Sequence, residues 1–277
     1  MKKSKVIAGV CAAVLCCGMI SVPGTAEANG TAVVSAASVL KAPTGVTTAC
    51  SGNTLSVKWK AVSGASAYKI YVKYPWSDGY EVYKTVKTAS VKIPDLVYGN
   101  KVSVKIVPLK KTTTGYSEGS AAKFTKTFSG KRAGISEGGL FLFDTSLIGK
   151  SKSYVSKALK KTPELEDWPW WTDNSGGALK VSFTKYNGLD LTLFFNTDNK
   201  LVEVYYDSPL DNYSDSLAVE ADERYIKGTV YNDPDRDVFI AYTAAENVGF
   251  QLNDETYAET GEVVLRQSYF DLETMSD

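Results

Sequence analysis

The feature that most constrains the fold of this 277-residue chain is a regular alternation of apolar and polar residues in its first half. The alternation occupies residues 55–60, 67–73 and 102–106, and Gly, Ser, Asn or Pro residues lie between these segments. A period of two residues is typical of strands that bury one face and expose the other. Several such strands at short spacing predict a β-sandwich of about 90 residues.

The same segments resemble the fibronectin type III domains of secreted bacterial proteins over residues 41–127. The resemblance depends on a Leu-x-Val-x-Trp strand that ends near Trp59, a Tyr-x-Ile-Tyr strand that begins at Tyr68, and a Leu-x-x-Gly turn that ends at Gly99. It implies that Trp59 lies in the core between two sheets. Val102 occupies the position of the family's corner tyrosine, so the hydrogen bond made by that tyrosine should be absent.

The second half predicts an α+β domain over residues 140–277, with one helix on an antiparallel sheet. Apolar residues recur at helical spacing between Ser151 and Lys161, and Pro163 follows as a stop signal. A helix followed by a meander forms one helical layer on one sheet. The order of elements over residues 147–206 resembles the helix-plus-sheet repeat of the β-lactamase inhibitor protein, from which we transfer no functional residue. The main strand segments predicted after the helix are residues 179–183, 189–195, 201–206, 238–242 and 263–270.

The charge distribution supports a division of the chain near residue 130. Residues 41–131 carry 15 lysines against four acidic residues, whereas residues 132–277 carry 13 basic and 26 acidic residues. Such an asymmetry indicates two domains. Residues 128–139 are predicted to be the linker, and the uncharged residues 29–40 a spacer. The basic part of the chain contains no arginine cluster and no nucleic-acid motif. We therefore interpret its lysines as a solvated surface and expect no nucleic-acid partner.

Residues 1–28 predict a secretory signal peptide. Lysines at the start precede an apolar stretch, and a small-x-small cleavage site ends at Ala28. We therefore expect a secreted, extracellular protein that begins near Asn29 and has no membrane span after cleavage. Three of the four cysteines lie in the signal, and only Cys50 remains. The mature chain should therefore fold without an internal disulfide bond.

The chain contains no histidine, which excludes several kinds of catalytic and metal site. Ser-His-Asp and Cys-His nucleophiles need imidazole, and so do the usual zinc sites. Residues 134–138 match the Gly-x-Ser-x-Gly pattern of nucleophilic serines, but we interpret them as linker because the base is missing. The acidic residues 232–237 are more typical of a solvated turn than of a calcium site, since they lack its central glycine and distal glutamate. We expect no catalytic residue, metal or cofactor.

Two aromatic segments are the candidate ligand-binding sites. One places three tryptophans within four residues, shortly after Pro163, where a loop is expected. Its rings are either a hydrophobic plug beneath the helix or a platform on which a protein or carbohydrate stacks. The other segment lies between two predicted strands of the sandwich, where its rings either pack at a hairpin tip or contact a ligand. The candidate residues are Trp168, Trp170, Trp171, Asp173, Trp76 and Tyr80.

These features favour a non-enzymatic binding or adhesion protein whose partner is a protein or carbohydrate at the cell surface or in the medium. One alternative is a proteinaceous inhibitor that docks its second domain onto a secreted enzyme. A less favoured alternative is a glycoside hydrolase with a carboxylate pair such as Asp167 and Asp173, because that chemistry needs no histidine.

Overall fold

The computed structural model describes residues 39–160, 164–172, 178–227, 239–257 and 259–274. The predicted signal peptide and the predicted spacer up to residue 38 lie outside the described residues. From Val39 onward the chain forms one compact unit.

The first half forms the two-sheet sandwich that the alternation predicts. Its strands are β1 (Thr44–Ser51), β2 (Thr54–Lys60), β3 (Ala67–Lys73), β4 (Glu81–Val86), β5 (Ser90–Ile93), β6 (Lys101–Thr112), β7 (Gly115–Glu118) and β8 (Ala122–Thr127). One sheet has the order β1-β2-β5, and the other has the order β4-β3-β6-β7, with β8 also paired to β6. The chain changes sheets after β2, β4 and β5, as expected for a fibronectin type III-like sandwich.

The core of the sandwich is built from the apolar positions of the alternating strands. Trp59 is 6% exposed, and its ring meets the Tyr68 ring edge to face, with centroids 5.2 Å apart. The Tyr68 hydroxyl accepts a hydrogen bond from the Val62 amide at 2.8 Å. Val102, at the corner position, is fully buried among apolar residues. The predicted location of Trp59 between the sheets is therefore confirmed.

The segment predicted to be a linker, residues 128–139, is instead built into the fold. Its residues Ala133–Ile135 form β9, which pairs with β10 (Phe141–Phe143). A Cβ atom at Gly134 would lie 2.2 Å from Oδ1 of Asn53, so the absence of a side chain permits close packing there. The small residues that suggested flexibility thus allow the second half to approach the sandwich.

The second half contains two copies of one unit, a helix followed by four strands. The first unit is α1 (Lys152–Leu159) followed by β11 to β14, and the second is α2 (Asp215–Arg224) followed by β15 to β18. All eight strands form one antiparallel sheet in the order β11-β12-β13-β14-β18-β17-β16-β15, in which the last strands of the two units pair. The expectation of a single helix is therefore wrong. The strands are β11 (Glu164–Thr172), β12 (Ala178–Tyr186), β13 (Leu189–Phe195), β14 (Leu201–Pro209), β15 (Ile226–Lys227), β16 (Phe239–Ala245), β17 (Val248–Thr256) and β18 (Val263–Asp271).

Helix α1 is the helix predicted from the sequence. Ser151 is its N-cap and accepts a hydrogen bond from the Tyr154 amide, while Lys160 ends it in the left-handed conformation. Val155 and Leu159 are buried, but Tyr154 is 52% exposed and does not belong to the packed face. The helix therefore buries a narrow apolar stripe against the sheet.

Helix α2 lies within residues 208–237, where no helix was predicted. Ser214 caps it by accepting a hydrogen bond from the Leu217 amide. Leu217 and Ala221 are its fully buried residues, one turn apart, and much of the remaining surface is acidic. With these two residues on its buried face, the helix has too weak an apolar periodicity to be recognised from the sequence.

The two faces of the eight-stranded sheet differ in what they contact. One face packs against both helices and the β9–β10 hairpin through alternate residues such as Leu193, Phe250 and Tyr269. The opposite face, called here the second face, carries a small cluster of Val181, Phe194 and Val202 that comes from the sheet itself. The large core of the second half therefore lies on the helical face.

Candidate functional site

The three tryptophans at residues 168–171 lie in a strand, so the expectation of a loop is wrong. They belong to β11, the edge strand of the eight-stranded sheet. The pairing of β11 with β12 is irregular between Asp167 and Thr172, the stretch that contains them. The side chains of β11, and Asp173 as a whole, lie outside the described residues. A ligand-binding role for Trp168, Trp170, Trp171 and Asp173 stays a prediction.

The second predicted aromatic segment joins β3 to β4 and contacts the helical half of the chain. The Trp76 ring stacks on the Tyr74 ring, with centroids 5.0 Å apart and planes 6° from parallel. The guanidinium of Arg224, at the end of α2, lies 4.3 Å from the centroid of the Trp76 ring. Tyr80 is 38% exposed, and its ring lies 5.5 Å from Nζ of Lys105. The structure therefore brings Trp76, but not Tyr80, to the junction of the two halves.

Arg224 links α2 to the sandwich. Its Nη1 donates to the carbonyl of Asp95 at 3.2 Å, and its Nη2 donates to the Glu220 carboxylate at 3.0 Å. The side chain is 7% exposed, and its Nε has no hydrogen-bond partner among the described residues. A planar guanidinium can lie on a ring and direct its N–H groups to a carboxylate, a geometry that suits arginine better than the point charge of a lysine ammonium. Arg224 thus fixes the position of Trp76 against α2.

The carboxylates near Arg224 are held by residues of the expected linker. Ser136, the serine of the Gly-x-Ser-x-Gly pattern, donates from Oγ to Glu220 at 2.6 Å and accepts from the Leu140 amide at 2.9 Å. Burial, and next the charge of Glu220, raise the pKa of Asp95, although Arg224 offsets part of the effect. Ser136 therefore positions Glu220 through a hydrogen bond.

A cavity of about 600 Å³ opens beside Arg224, between the sandwich loop and the turn that joins β16 to β17. This volume falls within the range of small-molecule sites, which often lie where two structural units meet. Its most buried lining residues are Val97, Leu142 and Phe143. The aromatic side chains of Trp76 and Tyr225 also line it. The cavity therefore combines an apolar floor with aromatic walls.

Polar groups line the remainder of the cavity. Asn100 and Asn247 contribute amide groups, and Glu223 and Glu246 contribute carboxylates that are exposed at the opening. The Arg224 guanidinium is the cationic group in the lining, and it is already paired with Glu220. The cavity can therefore accept hydrogen bonds from a ligand while it contacts the ligand's apolar surface.

A second polar cluster lies on the second face of the large sheet. Arg266 donates from Nε and Nη2 to the two carboxylate oxygens of Asp207, both at 2.9 Å, and its guanidinium lies 3.9 Å from the centroid of the Tyr205 ring. Tyr257 donates its hydroxyl to the same carboxylate. Burial raises the pKa of the neighbouring Glu203 to about 7, with partial compensation by the charge of Arg266. This cluster joins the central strands of the sheet.

Three arginines share a geometry that sequence reasoning missed. Like Arg224 and Arg266, Arg132 stacks on an aromatic ring and pairs with a carboxylate. Its guanidinium lies 3.7 Å from the centroid of the Tyr98 ring and forms an ion pair with Asp144. The chain contains 27 lysines but four arginines. The few arginines in a lysine-rich chain could have indicated these sites, because arginine is favoured where a cation both stacks on a ring and forms an ion pair.

The described residues contain no group of three or more Cys, Asp or Glu side chains arranged to hold a metal ion. The acidic residues 232–237, considered for calcium, lie outside them. Within the described ranges, no helix has the length and apolar character needed to cross a membrane.

Comparison with known proteins finds similarity among solved structures. No protein-family description matches the sequence, and no curated protein matches it. The crystal structure of FN3tt is 21% identical, with a TM-score of 0.28, and the match covers 34% of this chain and 98% of that chain. The fn3 domain of human collagen alpha-1(XX) is 20% identical, with a TM-score of 0.29 and coverage of 37% and 98%. The chicken CNTN1 FN1–FN3 domains are 10% identical, with a TM-score of 0.27 and coverage of 85% and 90%. These neighbours are fibronectin type III structures, and they assign no ligand to this chain.

Proposed function

We propose that this protein is a non-enzymatic binding protein that holds a short, uncharged glycan in the cavity beside Arg224. The observation that carries the proposal is the cavity of about 600 Å³ with its apolar floor, aromatic walls and polar opening. Binding sites of this kind orient a ligand by a few polar groups around a mainly apolar surface.

The chemistry of the lining favours a carbohydrate over other small ligands. Sugar rings have apolar faces that contact Trp76 and Tyr225, and hydroxyl groups that donate to amide and carboxylate oxygens. An anionic ligand is disfavoured because Glu223 and Glu246 lie at the opening, while Arg224 is committed to an internal ion pair. Like charges brought together at an interface oppose binding.

We further propose that the protein acts outside the cell. The support is the pattern of residues 1–28, which combines a basic start, an apolar stretch and a small-x-small site. A surface or secreted glycan would then be accessible to it.

A variant that fills the cavity provides the test. Ala244 is half-buried and lines the cavity, so Ala244→Phe should obstruct it. The matched control is Ala121→Phe, at an exposed position of the sandwich outside the cavity. We would screen the full chain against an array of neutral glycans and measure the Kd of the best ligand by calorimetry for each variant.

We expect Ala244→Phe to weaken glycan binding by about tenfold or more, which corresponds to about 1.4 kcal/mol. The control Ala121→Phe should have little effect on the Kd. The melting temperatures of both variants should stay close to that of the parent. Failure of every glycan to bind, or equal binding by the two variants, contradicts the proposal.

The second face of the large sheet favours the inhibitor as a second candidate function. Phe183 is 39% exposed there and lies opposite Thr192, near the aromatic and charged groups around Arg266. A secreted enzyme that is inhibited at a stoichiometric dose, with dependence on Phe183 and no dependence on Ala244, would favour this candidate.

A further inference from the structure

The outer face of the larger sandwich sheet gathers lysines that are scattered in the sequence. Alternate residues of β3, β6 and β8 point away from the sandwich core, since their neighbours Ile70, Val104 and Phe124 point into it. The lysines of this face, called here the lysine face, are Lys69, Lys73, Lys101, Lys105, Lys111 and Lys123. The sequence predicts a solvated lysine surface, and strand pairing groups these lysines on one face of the sandwich.

Strand pairing places these lysines close together. Lys105 lies directly opposite Lys123 on one side and opposite Tyr71 on the other, and Tyr71 is flanked along β3 by Lys69 and Lys73. Directly opposed side chains have Cβ atoms about 5 Å apart, and neighbours on one face of a strand are about 7 Å apart. The lysine face is therefore a regular array of positive charges.

Among the described residues, Glu118 is the acidic side chain that forms an ion pair with this face. Glu118 reaches Lys69 at 3.4 Å, in an ion pair that is partly exposed and therefore weak. Like charges directly opposite each other oppose strand pairing in general, and Lys105 and Lys123 occupy such positions. A sequence that keeps such a local conflict commonly does so for a function.

We propose that the lysine face binds an acidic polysaccharide, independently of the ligand held in the cavity. The array matches a linear polymer with repeated carboxylate or sulfate groups, and the hydroxyls of Ser103 and Thr125, joined by a hydrogen bond of 2.8 Å, lie among the lysines to contact its sugar hydroxyls. Release of counterions on charge neutralisation provides the driving force, so affinity falls as salt rises.

Tyr71, the aromatic residue at the centre of the lysine face, favours a polysaccharide over single-stranded nucleic acid. Proteins that bind single strands present open aromatic rings on which bases stack. The Tyr71 ring is instead covered by the Lys105 ammonium, 3.6 Å from its centroid, with Lys69 at 5.3 Å. The cations are also lysines, whereas arginine is preferred for recognition of nucleic acids.

The test uses heparin as the acidic polysaccharide, with dextran as a neutral polymer and oligo(dT) as a nucleic acid. The variant Lys105→Gln/Lys123→Gln removes the directly opposed pair. The matched control Lys58→Gln/Lys92→Gln removes the same charge from the outer face of the other sandwich sheet, where these side chains lie on β2 and β5. Binding to the full chain would be measured at 50 and 200 mM salt, and melting temperatures would establish that all variants fold.

We expect heparin to bind the parent, to bind at least tenfold more weakly at the higher salt, and to lose about tenfold in affinity in the Lys105/Lys123 variant. The control should change affinity by less than about threefold, and dextran should not bind. Absence of heparin binding at 50 mM salt overturns the proposal, and so does an equal loss in both variants, which would indicate unspecific attraction. Binding of oligo(dT) as tight as that of heparin, lost in the same variant, also overturns it in favour of nucleic acid.

Discussion

Replacement of Glu203 by glutamine should make the protein more stable at neutral pH. Glu203 lies in β14 opposite Phe270 of β18, at the centre of the eight-stranded sheet. Burial raises the pKa of its carboxyl group from 4.5 to about 7, and the charge of Arg266 compensates only in part. Glutamine keeps the size of the side chain and removes the charge.

The magnitude follows from the two pKa values. The folded chain holds its proton up to about pH 7, whereas the unfolded chain releases it near pH 4.5. The stability that the raised pKa contributes is therefore complete below pH 4.5 and is lost as pH rises towards 7. Each unit of difference between the folded and unfolded pKa of Glu203 corresponds to about 1.4 kcal/mol, so the loss of stability is at most about 3 kcal/mol.

The assay is urea unfolding of the parent and of Glu203→Gln between pH 5 and 8, with Glu262→Gln as a control at an exposed position. The difference in unfolding free energy between variant and parent should shift in favour of the variant by about 1–3 kcal/mol across this range. The difference for the control should stay nearly constant. Parallel curves for Glu203→Gln and the parent would argue against a raised pKa of Glu203, and so would a variant less stable than the parent at pH 8.

Three other perturbations test separate parts of the structure. Trp59→Ala should lower the free energy of unfolding by about 3–5 kcal/mol, because it empties a buried aromatic position; urea unfolding checks this, and a near-neutral result would argue against the sandwich core. Arg266→Met should cost about 3–5 kcal/mol by leaving the Asp207 carboxylate buried without its ion pair, while Arg266→Met/Asp207→Leu should recover much of the loss in the same assay. Expression in a secreting host should yield a chain cleaved after Ala28; an intact mass that retains residues 1–28 would contradict export with cleavage.

The sandwich was predictable because its information is local. The alternation over residues 55–60 and 67–73 identifies which side chains enter the core, and these residues form β2 and β3. The Asn187-Gly188 turn between β12 and β13 was predictable for a similar reason, since both residues adopt positive φ in the structure. In each case neighbouring residues specify the conformation without distant contacts.

The repeat in the second half and the cavity depend on contacts between distant residues. Helix α2 carries a weak apolar pattern, so the second helix-plus-strands unit could not be recognised. Arg224 is 148 residues from Trp76 in the sequence, and only the folded chain places its guanidinium on that ring. The tryptophans of β11 were misassigned to a loop because they follow Pro163, which suggested a break. They lie instead in an edge strand, which tolerates Pro169.

The most direct test of the proposed function is a crystal structure of the chain with the glycan selected on the array. We expect electron density for the glycan in the cavity, with a sugar ring against Trp76 or Tyr225 and hydroxyl groups within hydrogen-bond distance of Asn100 or Glu223. Density for the glycan at β11 or on the second face of the large sheet, with the cavity empty, would contradict it.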